Sequence, residues 1–525
     1  MAEGKYMVKI TLLAMTFDGI ENMEVGGYQS YLSENGYQVE SIYLNGNEDV
    51  NQHFSQIDLS SKIYSMSIYS ESSVYPESLL SFAKLAKKIK ENAPDSIIVL
   101  AGKYSSIYFK EILKDERFVA VDYVILGDGE YSLRGLVDCV EAQDDVAEMV
   151  KEHKNIAARD SLEGKEFFNI DVNDLPLPDR SFLLNSNRFL ENYYAFIYNS
   201  HGCYMKCAFC TRGQFYKKWT GRTAQSIFDE IKTITTTSSI KCFWFTGGSF
   251  EDPGGKKGID FITEFCNLIL ADNLKVTMRC YLRSNFIVNV DVELLKLMKK
   301  AGFDVVLIGV EAANEFDLKL YNKATTIENN RIALKKLKEA GIYSDHYGFI
   351  MVNPYSTEER LRDNFLFLEE HQPHDLDNYV HHVVADPGTA IRKRLEEDGL
   401  LIPEDDFLKQ GLSYRFVEPF TADVSKFLRK HFLIFDTETA GIPTFIHHFL
   451  PFISEAAEYE ERLGAIMKKR SRMYSDYFRG LYIQQDIGLC ERKYDEFMGD
   501  FKNYQKELSI LQNKMIRDLI KNNIM

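Results

Sequence analysis

The sequence predicts an α/β protein: an N-terminal doubly wound parallel sheet, a central partial (β/α)6 barrel of the TIM kind, and a C-terminal helical domain. Three observations predict it. Short apolar runs alternate with amphipathic stretches over residues 8–142 and again over 194–385, the order of strands joined by crossover helices. A proline-punctuated segment, Asp174-Leu175-Pro176-Leu177-Pro178-Asp179-Arg180, cannot be helical and parts the two runs. From Ser425 onward the strand signals cease, and apolar residues recur at spacings of three and four.

Residues 1–150 form the first domain. Strands fall at 8–15, 39–44, 63–68, 96–101 and 121–126, with helices at 27–35, 76–92 and 131–142. Gly36 stands where a helix should end. Sheets of this kind bind ligands at the carboxyl ends of their strands. Residues 151–190, with the proline segment, read as an ordinary linker.

Residues 191–390 form the second domain. Six strands are counted, at 194–200, 241–246, 275–282, 304–310, 344–351 and 378–385. Helices at 223–237, 258–272, 291–301, 326–340 and 357–371 separate them. Gly302 and Gly341 close helices, and Ser356-Thr357-Glu358-Glu359 fits a capping box. The site of such a barrel lies at the carboxyl ends of its strands. Alternation puts Arg279, Tyr281 and Arg283 on one face of the third strand. Arg283 and Glu311, on neighbouring strand ends, read as an ion pair in a dry interior. His381 and His382 could act as a general base; neutral packing or exposure is the simpler reading. Cys242 and Cys280 read as small core residues.

Residues 391–525 contain a connection at 395–412 and then helices, the longest at 458–482 and 490–521. Their apolar faces serve packing or self-association equally well.

The formal net charge of −16 argues against a nucleic-acid partner, which needs a basic surface. No apolar run approaches the roughly 20 residues of a membrane helix. Glu3, Lys5 and Lys9 do not fit a secretory signal, so the expectation is a cytoplasmic protein whose thiols stay reduced.

The chemistry is written in Gly202-Cys203-Tyr204-Met205-Lys206-Cys207-Ala208-Phe209-Cys210, a C-x3-C-x2-C loop directly after the first barrel strand. Three thiolates at this spacing can hold three irons of a [4Fe–4S] cube and leave the fourth iron open to a small molecule. A structural zinc site wants four protein ligands, commonly as two paired knuckles. No second C-x2-C exists; Cys139, Cys242, Cys266, Cys280 and Cys490 stand singly. A metal-binding scaffold or regulator stays open as another class. It requires a fourth ligand or a DNA-binding element, and no basic helix-turn-helix candidate is found.

This loop, with the aromatic Phe209 before its last cysteine, resembles the signature of the radical S-adenosylmethionine (SAM) superfamily. The resemblance implies that Cys203, Cys207 and Cys210 ligate a [4Fe–4S] cluster whose open iron is chelated by SAM. Thr246-Gly247-Gly248 is similar to the turn whose backbone holds SAM's amino group, with Ser249 where Glu is usual. By the same resemblance Arg283 and Glu311 position SAM's carboxylate and ribose, and the stretch at Phe349 meets the adenine. Asp386-Pro387-Gly388-Thr389 resembles a turn of one subgroup. Trp219 and Arg222 match that subgroup's continuation in part.

The first domain is similar to the cobalamin-binding, Rossmann-like domain of that subgroup. The features are Ser65-Met66-Ser67, Gly102 and the run Gly127-Asp128-Gly129-Glu130. Small residues there let a backbone come close to a corrin's nucleotide tail. The chain has Ala101-Gly102 where Gly-Gly is usual, and no D-x-H-x-x-G to supply a cobalt-ligating histidine. A purely structural domain is the alternative.

The resemblance implies SAM cleavage to methionine and a 5′-deoxyadenosyl radical, which removes a hydrogen atom from an unactivated carbon. With cobalamin it implies C-methylation of a small-molecule or peptide substrate. A non-methylating rearrangement or oxidation is the alternative. A flavodoxin- or ferredoxin-type donor is the implied electron source.

Overall fold

The computed structural model describes residues 8–16, 20–68, 75–185, 193–432, 441–522 and 524. It divides into two compact units. One comprises Met1–Phe196, Ser200–Cys203 and Thr211–Arg222; the other comprises Ile197–Asn199, Tyr204–Cys210 and Thr223–Met525.

The first unit is built on β1 (Lys9–Thr16), β2 (Gln38–Asn45), β3 (Ile63–Ile68), β4 (Ile97–Ala101), β5 (Tyr123–Ile125) and β6 (Ile156–Ala157). They form one sheet in the order β2-β1-β3-β4-β5-β6. The pairs β1–β2, β1–β3, β3–β4 and β4–β5 are parallel, and β6 adds an antiparallel edge. Every residue of β3 is buried, Ser65 and Ser67 included. A strand covered on both faces reads as a continuous apolar run, so the serines are the exception that needs a reason. The first helix, Met23–Glu34, starts four residues earlier than the sequence pattern predicts. The cause is Asn22, whose side chain accepts the Val25 N–H at 3.1 Å.

The proline segment is more than a linker. Arg180 Nη1 lies 2.7 Å from Glu21 Oε1, with both side chains buried. The same carboxylate accepts the Phe196 N–H at 2.8 Å, and Arg180 Nη2 donates to the Phe196 carbonyl at 2.8 Å. A short ribbon, β8 (Ser200–His201) with β9 (Thr220–Gly221), follows β7 (Tyr194–Ile197).

The second unit carries β10 (Cys242–Phe245), β11 (Thr277–Arg283), β12 (Phe303–Gly309) and β13 (Tyr343–His346), all parallel. Sheet order is β7-β10-β11-β12-β13, joined at the β7 edge where the Ile197 carbonyl accepts the Thr246 N–H at 3.0 Å. The helices Ala224–Thr237, Val292–Ala301, Ile327–Glu339 and Glu358–His371 start at Thr223, Asp291, Thr326 and Thr357. Each of these side chains accepts a backbone N–H of the first turn, which is why the boundaries were legible.

At the sixth barrel position the expected strand over 378–385 is cut short. Asp375 Oδ1 accepts the Asp377 N–H at 3.0 Å and starts a helical turn, Asp377–Val380. Only the following residues are extended: the His381 carbonyl accepts Met351 and Val352 N–H, and Val383 N–H reaches the Val352 carbonyl. The barrel is thus five strands plus one bridged segment.

In the tail, helices Ala456–Tyr482 and Ile487–Lys521 pack on each other. Tyr482 OH donates to the Tyr379 carbonyl at 2.6 Å, and Ser471 Oγ to the Gln372 carbonyl at 2.8 Å. The long helix therefore braces the segment that makes the sixth position. Among the described residues no helix is long and apolar enough to cross a membrane.

Candidate active site

In the second unit the cysteine loop is strapped to the turn after helix Glu315–Leu320. Ala208 N–H donates to the Tyr321 carbonyl at 2.9 Å, and Asn322 Nδ2 to the Lys206 carbonyl at 2.7 Å. Ile391 N–H reaches the Ala208 carbonyl at 2.9 Å. Phe209 meets the Tyr321 ring edge-on, centroids 5.5 Å apart. The loop is therefore held by backbone and ring contacts, leaving Cys207 and Cys210 half-buried.

Tyr321 is itself fixed by a buried amide network. Asn353 Nδ2 donates to both Asp317 Oδ1 and Tyr321 OH at 2.9 Å. Asn314 Nδ2 reaches Asp317 Oδ2 at 2.7 Å, and Asn364 Oδ1 accepts the Ala313 N–H at 2.8 Å. Such networks hold one geometry only when each member is satisfied.

In the first unit Cys203 follows β8 of the β8–β9 ribbon. Gly202 has φ +81, and a Cβ there would stand 2.7 Å from the Lys218 carbonyl oxygen, so glycine is needed. The ribbon is pinned by Val172 N–H on Thr220 Oγ1 at 3.2 Å and Asn173 Nδ2 on the Gly221 carbonyl at 3.1 Å.

Cys203, Cys207 and Cys210 are reduced and partly accessible, whereas the other five cysteines are buried. Burial holds the Cys242 thiol at about 12, the mark of an inert core residue. Among the described residues no three His, Cys, Asp or Glu side chains converge as a ready-made metal cage. The fit to an iron–sulfur cluster rests on the donor chemistry: three accessible thiols at the spacing that three irons require.

The carboxyl ends of β10, β11, β12 and β13 open on one rim. Thr246 and Gly247 are already engaged, Thr246 on Ile197 and Gly247 N–H on Asn199 Oδ1 at 3.0 Å, while Gly248 is half-buried. Arg283 and Glu311 do not form the expected pair. Arg283 Nε lies 2.8 Å from Glu251 Oε1 and Nη2 lies 2.6 Å from Asp252 Oδ1. Ser249 Oγ donates to the other Glu251 oxygen. Burial raises the Glu251 carboxyl, and Arg283 works against that rise. The exchange has a simple cause: Glu251 and Asp252 follow the Gly-Gly turn and meet Arg283 first.

Glu311 pairs instead with Lys323, which the sequence reading missed. Nζ lies 3.0 Å from Oε1, and the side chains are 10% and 12% exposed. Burial works against the Lys323 charge, but Glu311, then the Cys207 and Cys210 sulfurs, hold its pKa above the ordinary lysine value. Phe349, buried, bridges to Glu311 in parallel register. Lys323, Glu311, Phe349, Cys207 and Cys210 are thus gathered at one mouth.

Below this mouth, Trp244, Arg279, Tyr281, Leu307 and Gly309 share a face that keeps accessible surface, while their strand neighbours are buried. Helix Ile442–Phe449 closes the far end: Trp244 Nε1 donates to His448 Nε2 at 3.1 Å, and the Tyr343 ring stacks on His447 at 3.8 Å. His382 is buried, with hydrogen bonds to the Val380 carbonyl and Ser425 Oγ, and burial lowers it to about 3. It is a packing residue. A separate cavity of about 460 Å³ at the amino ends of these strands, lined by Lys275, Lys299, Asp304 and Phe452, faces away from the cysteines.

At the carboxyl edge of the first unit's sheet, Ser67 Oγ donates to Glu24 Oε2 at 2.7 Å. A Cβ on Gly102 would stand 2.4 Å from that oxygen. Gly127 bridges to Phe168. Glu130 is buried at a helix start; burial, with Asp128 and Glu24 nearby, pushes it to about 8, and burial takes Asp128 to about 7. Ser65 Oγ, Ser105 Oγ, Ser132 Oγ and Glu130 Oε2 are buried without a hydrogen-bond partner. Orphaned hydroxyls ask for a ligand rich in hydrogen-bonding groups, and the amide-fringed corrin is one that fits.

Residues 197–368 match the family model described as the radical SAM superfamily. The chain is 28% identical over 305 residues to the anaerobic magnesium-protoporphyrin IX monomethyl ester cyclase of Cereibacter sphaeroides, covering 56% of this chain and 47% of that protein. The chain spans about half the length of the curated relatives it matches. In fold it is similar to the cobalamin-dependent SAM radical enzyme OxsB, solved with aqua-cobalamin and SAM bound. The TM-score is 0.69 at 17% identity, covering 98% of this chain and 81% of that one. It is also similar to the radical SAM methyltransferase TsrM from Kitasatospora setae, solved with cobalamin and a [4Fe–4S] cluster. The TM-score is 0.57 at 15% identity, covering 75% of each chain.

Proposed function

We propose, from the match of residues 197–368 to the radical SAM superfamily, that this chain is a cobalamin-dependent radical SAM enzyme modifying an unactivated carbon of a biosynthetic substrate. The observation that carries the reading is the C-x3-C-x2-C loop, two of whose cysteines stand at the mouth of a parallel half-barrel beside a buried lysine–glutamate pair. When bound, the cluster supplies the electron that splits SAM into methionine and a 5′-deoxyadenosyl radical.

The chain's own residues do the rest. Cys203, Cys207 and Cys210 would hold three irons. The half-buried backbone at Gly248, beside the engaged Thr246 and Gly247, would receive SAM's amino group, Glu311 its ribose and the Phe349 backbone its adenine. Arg283 is held too closely by Glu251 and Asp252 to serve as more than a distant charge for SAM's carboxylate; Lys323 is the better cation. The closed floor and buried walls keep water from the radical, the protein's part in cofactor chemistry.

Ser65, Ser67, Gly102, Gly127 and Glu130 would meet the cobalamin tail, supported by the orphaned hydroxyls and by the two cobalamin-bound neighbours in fold. Methylation is the outcome we favour for a cobalamin partner. A ring-forming outcome is the second reading, favoured by the name of the cyclase relative. A flavodoxin- or ferredoxin-type protein would deliver the electron.

The test is anaerobic reconstitution of the full chain and of its Cys203→Ala, Cys207→Ala and Cys210→Ala variants. The wild type is expected to take up iron, show cluster absorbance and cleave SAM under reduction; each variant loses cleavage. Cleavage retained by any variant removes the assignment. A corrinoid spectrum after purification with cobalamin tests the second cofactor.

A further inference from the structure

Two histidines face the barrel lumen, each held by an aspartate from one turn. His346 Nδ1 lies 2.7 Å from Asp375 Oδ2. His381 Nδ1 lies 3.2 Å from Asp377. The turn is a relay: Asp375 Oδ1 accepts the Asp377 N–H, so the residue that orients His346 also fixes the one that orients His381. The His381 carbonyl is tied to Met351 and Val352, which sets the ring's position against the fifth strand. Strand register puts Tyr281, Leu307 and His346 in one row across three strands. Trp244 and Arg279 pair in the row beneath, with the guanidinium 4.5 Å from the indole centroid. The dyads therefore stand between a cation–aromatic floor and the cysteine mouth.

Three readings compete. A metal site is disfavoured, because the four side chains do not converge on one point and both Nδ1 atoms are spent on carboxylates. A packing role suits His382 but not His381, whose side chain is 39% exposed beside Asp377 at 44%. The third is ligand contact. An imidazole whose Nδ1–H is given to a carboxylate has Nε2 as an acceptor when neutral and as a second donor when protonated, and a carboxylate at Nδ1 favours the protonated form.

We infer that His381, oriented by Asp377 and flanked by the His346–Asp375 pair, contacts the substrate and receives an oxyanion, a carboxylate or a phosphate ester. The inference rests on reading this barrel as the reaction chamber. It makes the substrate an anionic small molecule, seated with its charged end low in the lumen and its reacting carbon toward the cysteine loop. The charge on the imidazole is supported by its surroundings. Burial lowers His381, but Asp377 and, more weakly, Glu311 outweigh burial and the facing His346, so the net shift is upward.

The chain carries two tryptophans, Trp219 and Trp244, so Trp219→Phe leaves Trp244 on the lumen floor as the sole indole reporter. The experiment titrates this full-length variant, without cluster or SAM, with inorganic phosphate and separately with acetate at constant ionic strength. Trp244 emission is expected to change saturably with at least one anion, and the anion with the lower half-saturation names the class. His381→Asn is expected to raise that half-saturation at least about tenfold, Asp377→Asn several-fold, and His381→Lys to restore part of the loss. Cooperative melting of each variant checks folding; where His381→Asn does not fold, Asp377→Asn and His381→Lys decide. No saturable change with either anion, or equal half-saturation in folded wild-type and His381 variants, overturns the proposal. Iron uptake and SAM cleavage test the enzyme reading separately, so either can fail alone.

Discussion

Lys323 Nζ and Glu311 Oε1 stand 3.0 Å apart at the mouth of the barrel. The pair closes over a backbone that glycine alone keeps thin: a Cβ on Gly309 would lie 2.9 Å from Glu311 Oε1 and 3.0 Å from Lys323 Nζ. Glu311 itself has φ +66, a left-handed conformation uncommon for a residue with a side chain. Its N–H donates to the Gly348 carbonyl and its carbonyl accepts Ile350 N–H, so neighbouring strands impose the strain. Strain held in place this way concentrates at functional sites.

Removing Lys323 alone should leave a buried carboxylate without its partner. Lys323→Met is expected to cost about 3–5 kcal/mol, whereas the double change Lys323→Met with Glu311→Gln should cost clearly less, because no charge is then stranded. Denaturant unfolding of the two variants against the wild type measures both. Equal losses in the single and double variants would show that the pair is not coupled.

Gly309→Ala inserts one methyl between the two charged tips. Because those tips are flexible, the expected result is a displaced pair and not an unfolded chain. Stability should fall by about 1–2 kcal/mol, the usual range for overpacking. SAM affinity, read by calorimetry on reconstituted protein, should fall further than the fold does. A variant that binds SAM as wild type does would detach this pair from the SAM site.

The local signals were legible where one residue acts on its own neighbours. Thr223, Asp291, Thr326 and Thr357 announce helix starts, because an N-cap is a contact within four residues. The cysteine spacing and the exposed alternation of Arg279, Tyr281 and Arg283 are local in the same sense. What was illegible depends on choice among distant partners. Arg283 had three carboxylates in reach of its strand end, and the sequence could not say that Glu251 and Asp252 would win over Glu311. Lys323 carries no local signal in the sequence; only the turn strapped to Lys206 and Ala208 draws it inward. The shortened sixth strand has the same origin, since Asp375 satisfies both His346 and the Asp377 N–H.

Stability of the first unit should fall as pH rises between about 6.5 and 8. Asp128 and Glu130 are raised to about 7 and about 8 in the folded chain, chiefly by burial. A raised carboxyl keeps its proton when folded and loses it when unfolded, so its contribution is full below the unfolded pKa and is lost as pH climbs through the folded value. His201, 3.8 Å from Asp128 and lowered by burial to about 4, works in the opposite sense below pH 6.5, so the fall is steeper above that pH than below it. Glu130→Gln should flatten the slope and protect the unit more at pH 8 than at pH 6.5. Amide exchange of the helix Glu130–Glu141 at the two pH values reads it. A slope unchanged by the substitution would place the titration elsewhere.

Asn353→Ala tests whether the buried amide network governs the cysteine loop. The substitution strips a hydrogen bond from Asp317 and another from Tyr321 OH, both deep in the second unit. Two unsatisfied buried acceptor or donor groups cost about 2–5 kcal/mol together. The effect should not stop there, because the Tyr321 carbonyl holds Ala208 N–H and its ring holds Phe209. Reconstituted Asn353→Ala protein is therefore expected to lose iron to a chelator several times faster than wild type under conditions where both remain folded. Asn364→Ala, which removes the Ala313 contact but leaves the Asn353–Tyr321 bond in place, should lose stability with a smaller change in chelation rate. Equal chelation rates in all three would separate the network from the loop and reduce it to a folding element.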